Sequence, residues 1–157
     1  HAEPSKALWV LNDVLRQHDD NKRFCTVALL RLRRQADGEW TGTVSCAGHP
    51  LPFLRRSDGT LHAVGQPGAL LGVIDTPHLH DVQFSLLPGD TLLLYTDGVT
   101  EARSGKNFYG EERLAEAAAR SLDSAEALTS AVLSEILEFQ AGSPRDDIAV
   151  VTIRVPL

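Results

Sequence analysis

Leu92-Leu93-Leu94-Tyr95-Thr96-Asp97-Gly98-Val99-Thr100-Glu101 decides how the chain is read. Leu92 to Thr96 is a short, mostly apolar run, which suits a strand buried on both faces. It stops abruptly at Asp97-Gly98. Aspartate is a poor strand former and is ionised near neutral pH, so at that edge it needs water, a cation or hydrogen-bond donors. Asp-Gly is also a common turn pair, and a solvated turn aspartate fits the same pattern. A second acidic stretch, Arg145-Asp146-Asp147, immediately precedes the apolar run Ile148 to Val155. Asp97 leaves one strand as Asp146 enters another. If those strands are antiparallel neighbours, the carboxylates meet at one sheet edge. Oxygen-only ligands of this kind suit Mg2+ or Mn2+.

Pro4 to His18 reads as an amphipathic helix with Ala7, Leu8, Leu11, Val14 and Leu15 on one stripe, ended by Asp19-Asp20-Asn21. Phe24 to Leu32 is a strand, with Cys25 to Leu30 expected to be buried on both faces. Asp37-Gly38 turns it back into Trp40 to Ala47, where Trp40, Gly42, Val44 and Cys46 share a face. Leu51 to Arg55 is a short strand that Pro52 assigns to an edge or a bulge. Thr60 to Val64 follows the turn Ser57-Asp58-Gly59. The glycine-rich segment 65–72 lacks the Lys-Ser or Lys-Thr ending of a phosphate loop. It is expected to pack Leu70 and Leu71 under the sheet and could also border a site. Val82 to Leu86 alternates as a strand, and Pro88-Gly89-Asp90 is explained by turn chemistry alone.

Beyond Asp97, Arg103 to Tyr109 is a polar loop. Gly110 to Arg120 is a helix that turns Leu114, Ala117, Ala118 and Ser121 inward. Asp123 or Ser124 caps the next helix, whose apolar face is Leu128, Val132, Leu133, Ile136 and Phe139. Gly142-Ser143-Pro144 ends it. The order is one helix, six strands, two helices and a strand, rich in hairpins and without βαβ alternation. That predicts an α+β architecture with largely antiparallel sheets.

Composition removes several function classes. A chain of 157 residues buries a core of one ordinary domain. Its net charge of -6 argues against nucleic acid or an anionic membrane as a partner. No apolar run approaches the roughly 18 residues that span a bilayer. His1-Ala2-Glu3-Pro4 is not a signal peptide, so the expected location is the cytoplasm, with Cys25 and Cys46 as reduced, buried thiols. No Cys/His set has zinc spacing, and His78 and His80 read as part of a solvated loop.

Several stretches then line up in order: Phe24-Cys25-Thr26, Ala47-Gly48-His49-Pro50, Leu71-Gly72, Pro88-Gly89-Asp90, Leu94 through Ala102, Phe108-Tyr109-Gly110 and Asp146-Asp147-Ile148. Together they resemble the SpoIIE/RsbU branch of the PPM (PP2C-like) serine/threonine phosphatases over nearly the whole chain. The resemblance implies a sandwich of two mainly antiparallel β-sheets flanked by α-helical layers. It implies hydrolysis of phosphoserine or phosphothreonine by a water activated between two Mg2+ or Mn2+ ions, about 4 Å apart in such sites. Carried over, Asp97 of the Thr-Asp-Gly motif and Asp146 of the Asp-Asp motif are metal ligands. Asp147, where relatives often carry Asn, and Gly98 stand behind them without touching metal. Glu101 and His49 belong to the motifs as braces of turns. Ala149 replaces a frequent Thr, a matter of packing.

One departure stands out. The family's early Gly-Asp-x-x-Gly-x-Gly motif, whose Asp bridges both metals, has no counterpart in the 157 residues. The expectation is that residues 1–157 form the C-terminal two-thirds of such a domain, with weak metal binding and little turnover alone. The implied partner is a phosphorylated STAS-domain anti-sigma-factor antagonist, in bacterial sigma-factor regulation, with a sensor or receiver domain on the N-terminal side. The alternative is a phosphatase-like docking module that has lost catalysis.

Overall fold

The apolar stretches separated by Gly- and Asp-containing turns pair into two larger antiparallel sheets and one small hairpin. The computed structural model describes residues 3–17, 24–120, 123–141 and 146–157. The expected helix stop at Asp19-Asp20-Asn21, Ser121, the stop Gly142-Ser143-Pro144, and Arg145 lie outside the described residues. The chain divides into two units, His1–Leu51 with Val64–Leu86, and Pro52–Ala63 with Leu87–Leu157.

The first unit holds α1 (Pro4–Gln17) and strands β1 (Val27–Arg34), β2 (Trp40–Ala47) and β5 (Val82–Leu86), with β2 in the middle. The pairing of Val27 with Ala47 and Arg34 with Trp40 puts Trp40, Gly42, Val44 and Cys46 on one face, as their alternation predicts. β1 is an edge strand, half-buried from Val27 to Leu32, so the expected burial on both faces does not hold. A continuous apolar run identifies a strand without fixing its place in the sheet. The Phe84 ring lies across Gly42, where a Cβ would come within 2.2 Å of it. Leu71 pairs with Cys25 in an isolated bridge and is fully buried with Leu8 and Ala47, while Leu70 is only half-buried. Both cysteines are free, and burial pushes the Cys46 thiol up to about 11.

The face of α1 is not the stripe its apolar residues suggest. Ala7 and Val14 are exposed, and Asn12 is fully buried beside Leu8. The Asn12 amide donates to Ile74 O at 3.1 Å, and its carbonyl accepts from Gly72 N at 2.9 Å. Both bonds satisfy loop backbone that would otherwise be orphaned. At the other end, Asp81 accepts from the Ser5 N–H at 2.9 Å and from the Ser5 hydroxyl, a carboxylate at the helix N-terminus.

The second unit holds β3 (Phe53–Arg55), β4 (Leu61–Ala63), β6 (Thr91–Tyr95) and β9 (Val150–Arg154) in the order β4-β3-β6-β9. β3 is an inner strand. Pro52 avoids the ladder by preceding it, so the edge assignment is corrected. After β6 come the one-turn helix α2 (Asp97–Thr100) and the hairpin β7 (Arg103–Ser104) and β8 (Asn107–Phe108), where a turn and a polar loop were expected. Two-residue strands are too short for a hydrophobic period to register. Helices α3 (Gly110–Ala119) and α4 (Ala125–Gln140) follow. Ser124 caps α4, its hydroxyl accepting from Ala127 N at 3.0 Å. Leu93, Tyr95, Val99, Leu114, Leu128, Val132 and Ile136 form the core of this unit. Leu133 is 38% exposed and lies off the inner face. Phe53 stacks on Tyr95 at 5.6 Å between centroids, and Tyr109 meets Phe139 edge-on at 5.5 Å.

Asp90 does more than make a turn. It is 1% exposed and accepts from Arg56 Nη1 at 2.6 Å, Ser57 N at 3.0 Å and Leu87 N at 2.9 Å. One carboxylate thereby ties the turn after β3 to the turn before β6. Asp90→Ala strips three donors of their acceptor. It is expected to cost about 3 kcal/mol or more in a urea titration, with Asp90→Asn costing less. Burial, with Glu111 adding to it, pushes the Tyr95 phenol from 10.0 to about 12. The stability tied to the neutral phenol is full below pH 10.0 and lost as pH rises through about 12. Tyr95→Phe should therefore move alkaline unfolding, followed by circular dichroism, to higher pH.

Candidate metal centre

β6 and β9 are antiparallel neighbours, with Tyr95 opposite Val150. The ladder continues one step beyond both strands, because Thr96 N donates to Ala149 O at 3.1 Å. The Thr96 hydroxyl donates to Asp147 O at 3.0 Å and accepts from Ala149 N at 3.0 Å. These bonds bring the Asp97-Gly98 and Asp146-Asp147 stretches to one edge of the sheet. Gly98 closes the approach. A Cβ there would stand 2.4 Å from Asp147 O and 3.6 Å from Asp146 Cβ. Only a residue without a side chain fits under that carbonyl.

Asp97 opens α2 with an exposed carboxylate. Its Oδ1 accepts from Gly98 N at 3.0 Å, and its backbone oxygen accepts from Glu101 N at 2.8 Å and from the Thr100 hydroxyl at 3.2 Å. Asp146 is likewise exposed, with one oxygen accepting from Asp147 N at 2.8 Å. Each carboxylate is oriented by one local N–H and keeps its remaining lone pairs toward solvent. Asp147 is exposed and contributes its backbone oxygen to the Thr96 clamp. Beside these residues runs a cleft of about 230 Å³ lined by Gly98, Glu101, Ala102, Arg103, Gln140 and Asp146. His49 belongs to the first unit, where its Nδ1 lies 3.2 Å from the Thr26 hydroxyl.

The donor chemistry suits a hard divalent cation, since both carboxylates and the neighbouring carbonyl offer oxygen only. The donor number is short of a complete centre. Among the described residues, no group of three or more His, Cys, Asp or Glu side chains could hold a metal ion. The described residues thus bring two acidic stretches to one edge and add no third ligating side chain there. Thr96, Arg103 and Gln140 were not singled out from sequence. Thr96 precedes Asp97 directly, a placement that could have signalled it. Gln140 ends α4 a short way before Asp146 in the chain, a proximity that could have signalled it.

An antiparallel α+β chain with acidic stretches at the ends of paired strands has the fold of the PP2C-type phosphatase domains. It aligns with the phosphatase domain of the cell-fate determinant SpoIIE from Bacillus subtilis, Mn presoaked, at TM-score 0.69 and 16% identity, over 99% of this chain and 67% of that one. It aligns with the RsbU and RsbW domains of Rv1364c from Mycobacterium tuberculosis at TM-score 0.74 and 25% identity, over 97% and 42%. The family model described as Stage II sporulation protein E (SpoIIE) matches residues 1–156, and the chain belongs to that family. Protein IcfG of Synechocystis sp. is 30% identical over 109 residues, 68% of this chain and 17% of IcfG. Phosphoserine phosphatase RsbU of Bacillus subtilis is 26% identical over 153 residues, 96% of this chain and 45% of RsbU. The chain thus spans less than half the length of either of these relatives.

Gly98→Ala tests the close approach. Driving a methyl against the Asp147 carbonyl is expected to destabilise the fold by roughly 1–3 kcal/mol in thermal unfolding. It should also shift the backbone amide resonances of both 96–101 and 146–149.

Proposed function

We propose that this chain is the core of a metal-dependent serine/threonine phosphatase that hydrolyses phosphoserine or phosphothreonine esters. The observation that carries the reading is the convergence of Asp97 and Asp146 on one sheet edge through Thr96 and Gly98. Asp97 and Asp146 would hold the cation, with Gly98 and Asp147 setting the distance between them. Bound Mg2+ or Mn2+ lowers the pKa of a coordinated water and offsets charge on the phosphoryl oxygens. Thr96 keeps both acidic stretches in place without contributing a ligand. Membership of the SpoIIE family and similarity to a phosphoserine phosphatase support the reaction class, and the Mn-presoaked relative supports the choice of ion.

The partner we assign is a phosphorylated STAS-domain antagonist of an anti-sigma factor, in the cytoplasm. The family resemblance and the likeness to RsbU-type domains support it. Among the described residues, no helix is long and apolar enough to cross a membrane. One observation favours a second reading, a docking module without turnover: the described residues offer no three-member ligand group.

The test is Mn2+-dependent phosphate release from p-nitrophenyl phosphate and from a phosphorylated STAS-domain protein. The phosphatase reading expects a slow, metal-dependent rate that Asp97→Ala lowers by about a hundredfold or more, roughly 3 kcal/mol of barrier. No release from either substrate by the full-length protein, folded and with excess Mn2+, transfers the assignment to the docking module.

A further inference from the structure

One face of the first unit's sheet changes character along its strands. Val27 and Leu29 of β1 pack with Leu8 beneath α1. Arg31 and Arg33 follow on the same face, since alternate side chains of a strand share a side. In register, Arg31 lies opposite Thr43 and Thr43 opposite Gln83, while Arg33 lies opposite Thr41 and Thr41 opposite Ser85. These six residues form two polar rows across three strands and line a groove of about 400 Å³. No acidic side chain lines it, in a chain of net charge -6. One of its arginines already holds a carboxylate brought from outside the sheet. Glu3, the residue before α1, accepts from Arg31 Nη2 at 2.9 Å. Arg33 is exposed, and among the described residues no carboxylate pairs with it. Beside it, Gln35 Nε2 donates to the Thr41 hydroxyl oxygen at 2.7 Å, which leaves the Thr41 proton free to be donated elsewhere.

We propose that this groove docks an acidic segment of a partner protein. Arg33 takes one carboxylate in its planar fork, with the Thr41 hydroxyl donating to it, and a second carboxylate replaces Glu3 on Arg31. Arg31 and Arg33 are two residues apart on one strand, about 7 Å, which is the repeat at which an extended segment presents alternate side chains. Acidic residues at i and i+2 of such a segment therefore match both arginines at once. The exposed Gln83 amide offers hydrogen bonds to the segment's backbone. Of the lining residues only Phe84 is aromatic, and its ring lies across Gly42 on the other face, so nothing in the groove stacks on a nucleic-acid base. The groove belongs to the first unit and shares no residue with the metal centre, so it stands apart from the phosphatase reading.

The test titrates the whole chain with N-acetyl-Glu-Ser-Glu-Ser-Glu-Ser-amide and, separately, with inorganic phosphate and with octauridylate. Binding is followed on backbone amide resonances, and circular dichroism checks the fold of each variant. The acidic peptide is expected to shift the amides of 31–35, 41–43 and 83–85. Arg33→Ala should weaken it about threefold to fivefold, and Arg33→Glu by about tenfold or more. Arg34→Ala removes the same charge from the opposite face of β1 and should leave the affinity unmoved. Glu3→Gln frees Arg31 and should tighten the peptide several-fold. Equal loss in Arg34→Ala and Arg33→Ala, or peptide shifts that lie away from the groove, overturns the docking face. Unchanged affinity in Glu3→Gln overturns the part given to Arg31. Phosphate that binds as tightly as the peptide makes the groove a small-anion site, and octauridylate that binds more tightly makes it a nucleic-acid surface. Either result overturns the acidic protein partner.

Discussion

Three hydrogen bonds at Thr96 are the constraint on which the acidic edge depends. They extend the β6–β9 ladder past the last paired residues and fasten the approach to β9 against the exit of β6. Without them, Asp97 and Asp146 would sit on separate loops, each free to choose its own direction. With them, the backbone entering the Asp97-Gly98 turn is held against the backbone of 147–149. Valine would keep the strand preference of Thr96 and lose the hydroxyl that both donates and accepts.

Asp90 and Asp97 show how the same side chain acquires opposite roles within one strand–turn segment. Asp90 enters β6 and Asp97 leaves it. Asp90 is 1% exposed and takes three donors, one of them an arginine. Nothing of its carboxylate remains for chemistry. Asp97 takes a single N–H and stays in contact with solvent. The difference lies in what surrounds each residue: Arg56 and the Ser57 and Leu87 amides enclose Asp90, whereas Asp97 stands at the exposed start of α2 with one N–H against its carboxylate. A carboxylate is available for ligation where the fold declines to satisfy it.

Much of this was legible beforehand. Trp40–Ala47 and Val82–Leu86 have the limits that their alternation indicates, since a strand's period of two is written directly in side-chain type. The antiparallel pairing of β6 with β9 stood as a condition in the sequence reading, because nothing local to either run selects its neighbour, and the structure meets it. Illegible features share a cause. Burial of Asn12 instead of Ala7 and Val14 depends on loop carbonyls and amides 60 or more residues away. The inner position of β3 depends on which strands choose it as a neighbour. The cleft draws Arg103 from a two-residue strand and Gln140 from the end of a helix, so no local spacing relates them.

The seat of Asn12 also gives α1 a mechanical character. Successive side chains on a helix are about 100° apart, so a turn by one residue would replace Asn12 at the seat with Leu11 or Asp13. Neither offers both a donor and an acceptor, and the Gly72 amide and Ile74 carbonyl would lose their partners together. The helix is therefore keyed like a shaft in a slot: it is seated in one orientation or lifted out, with no graded rotation between.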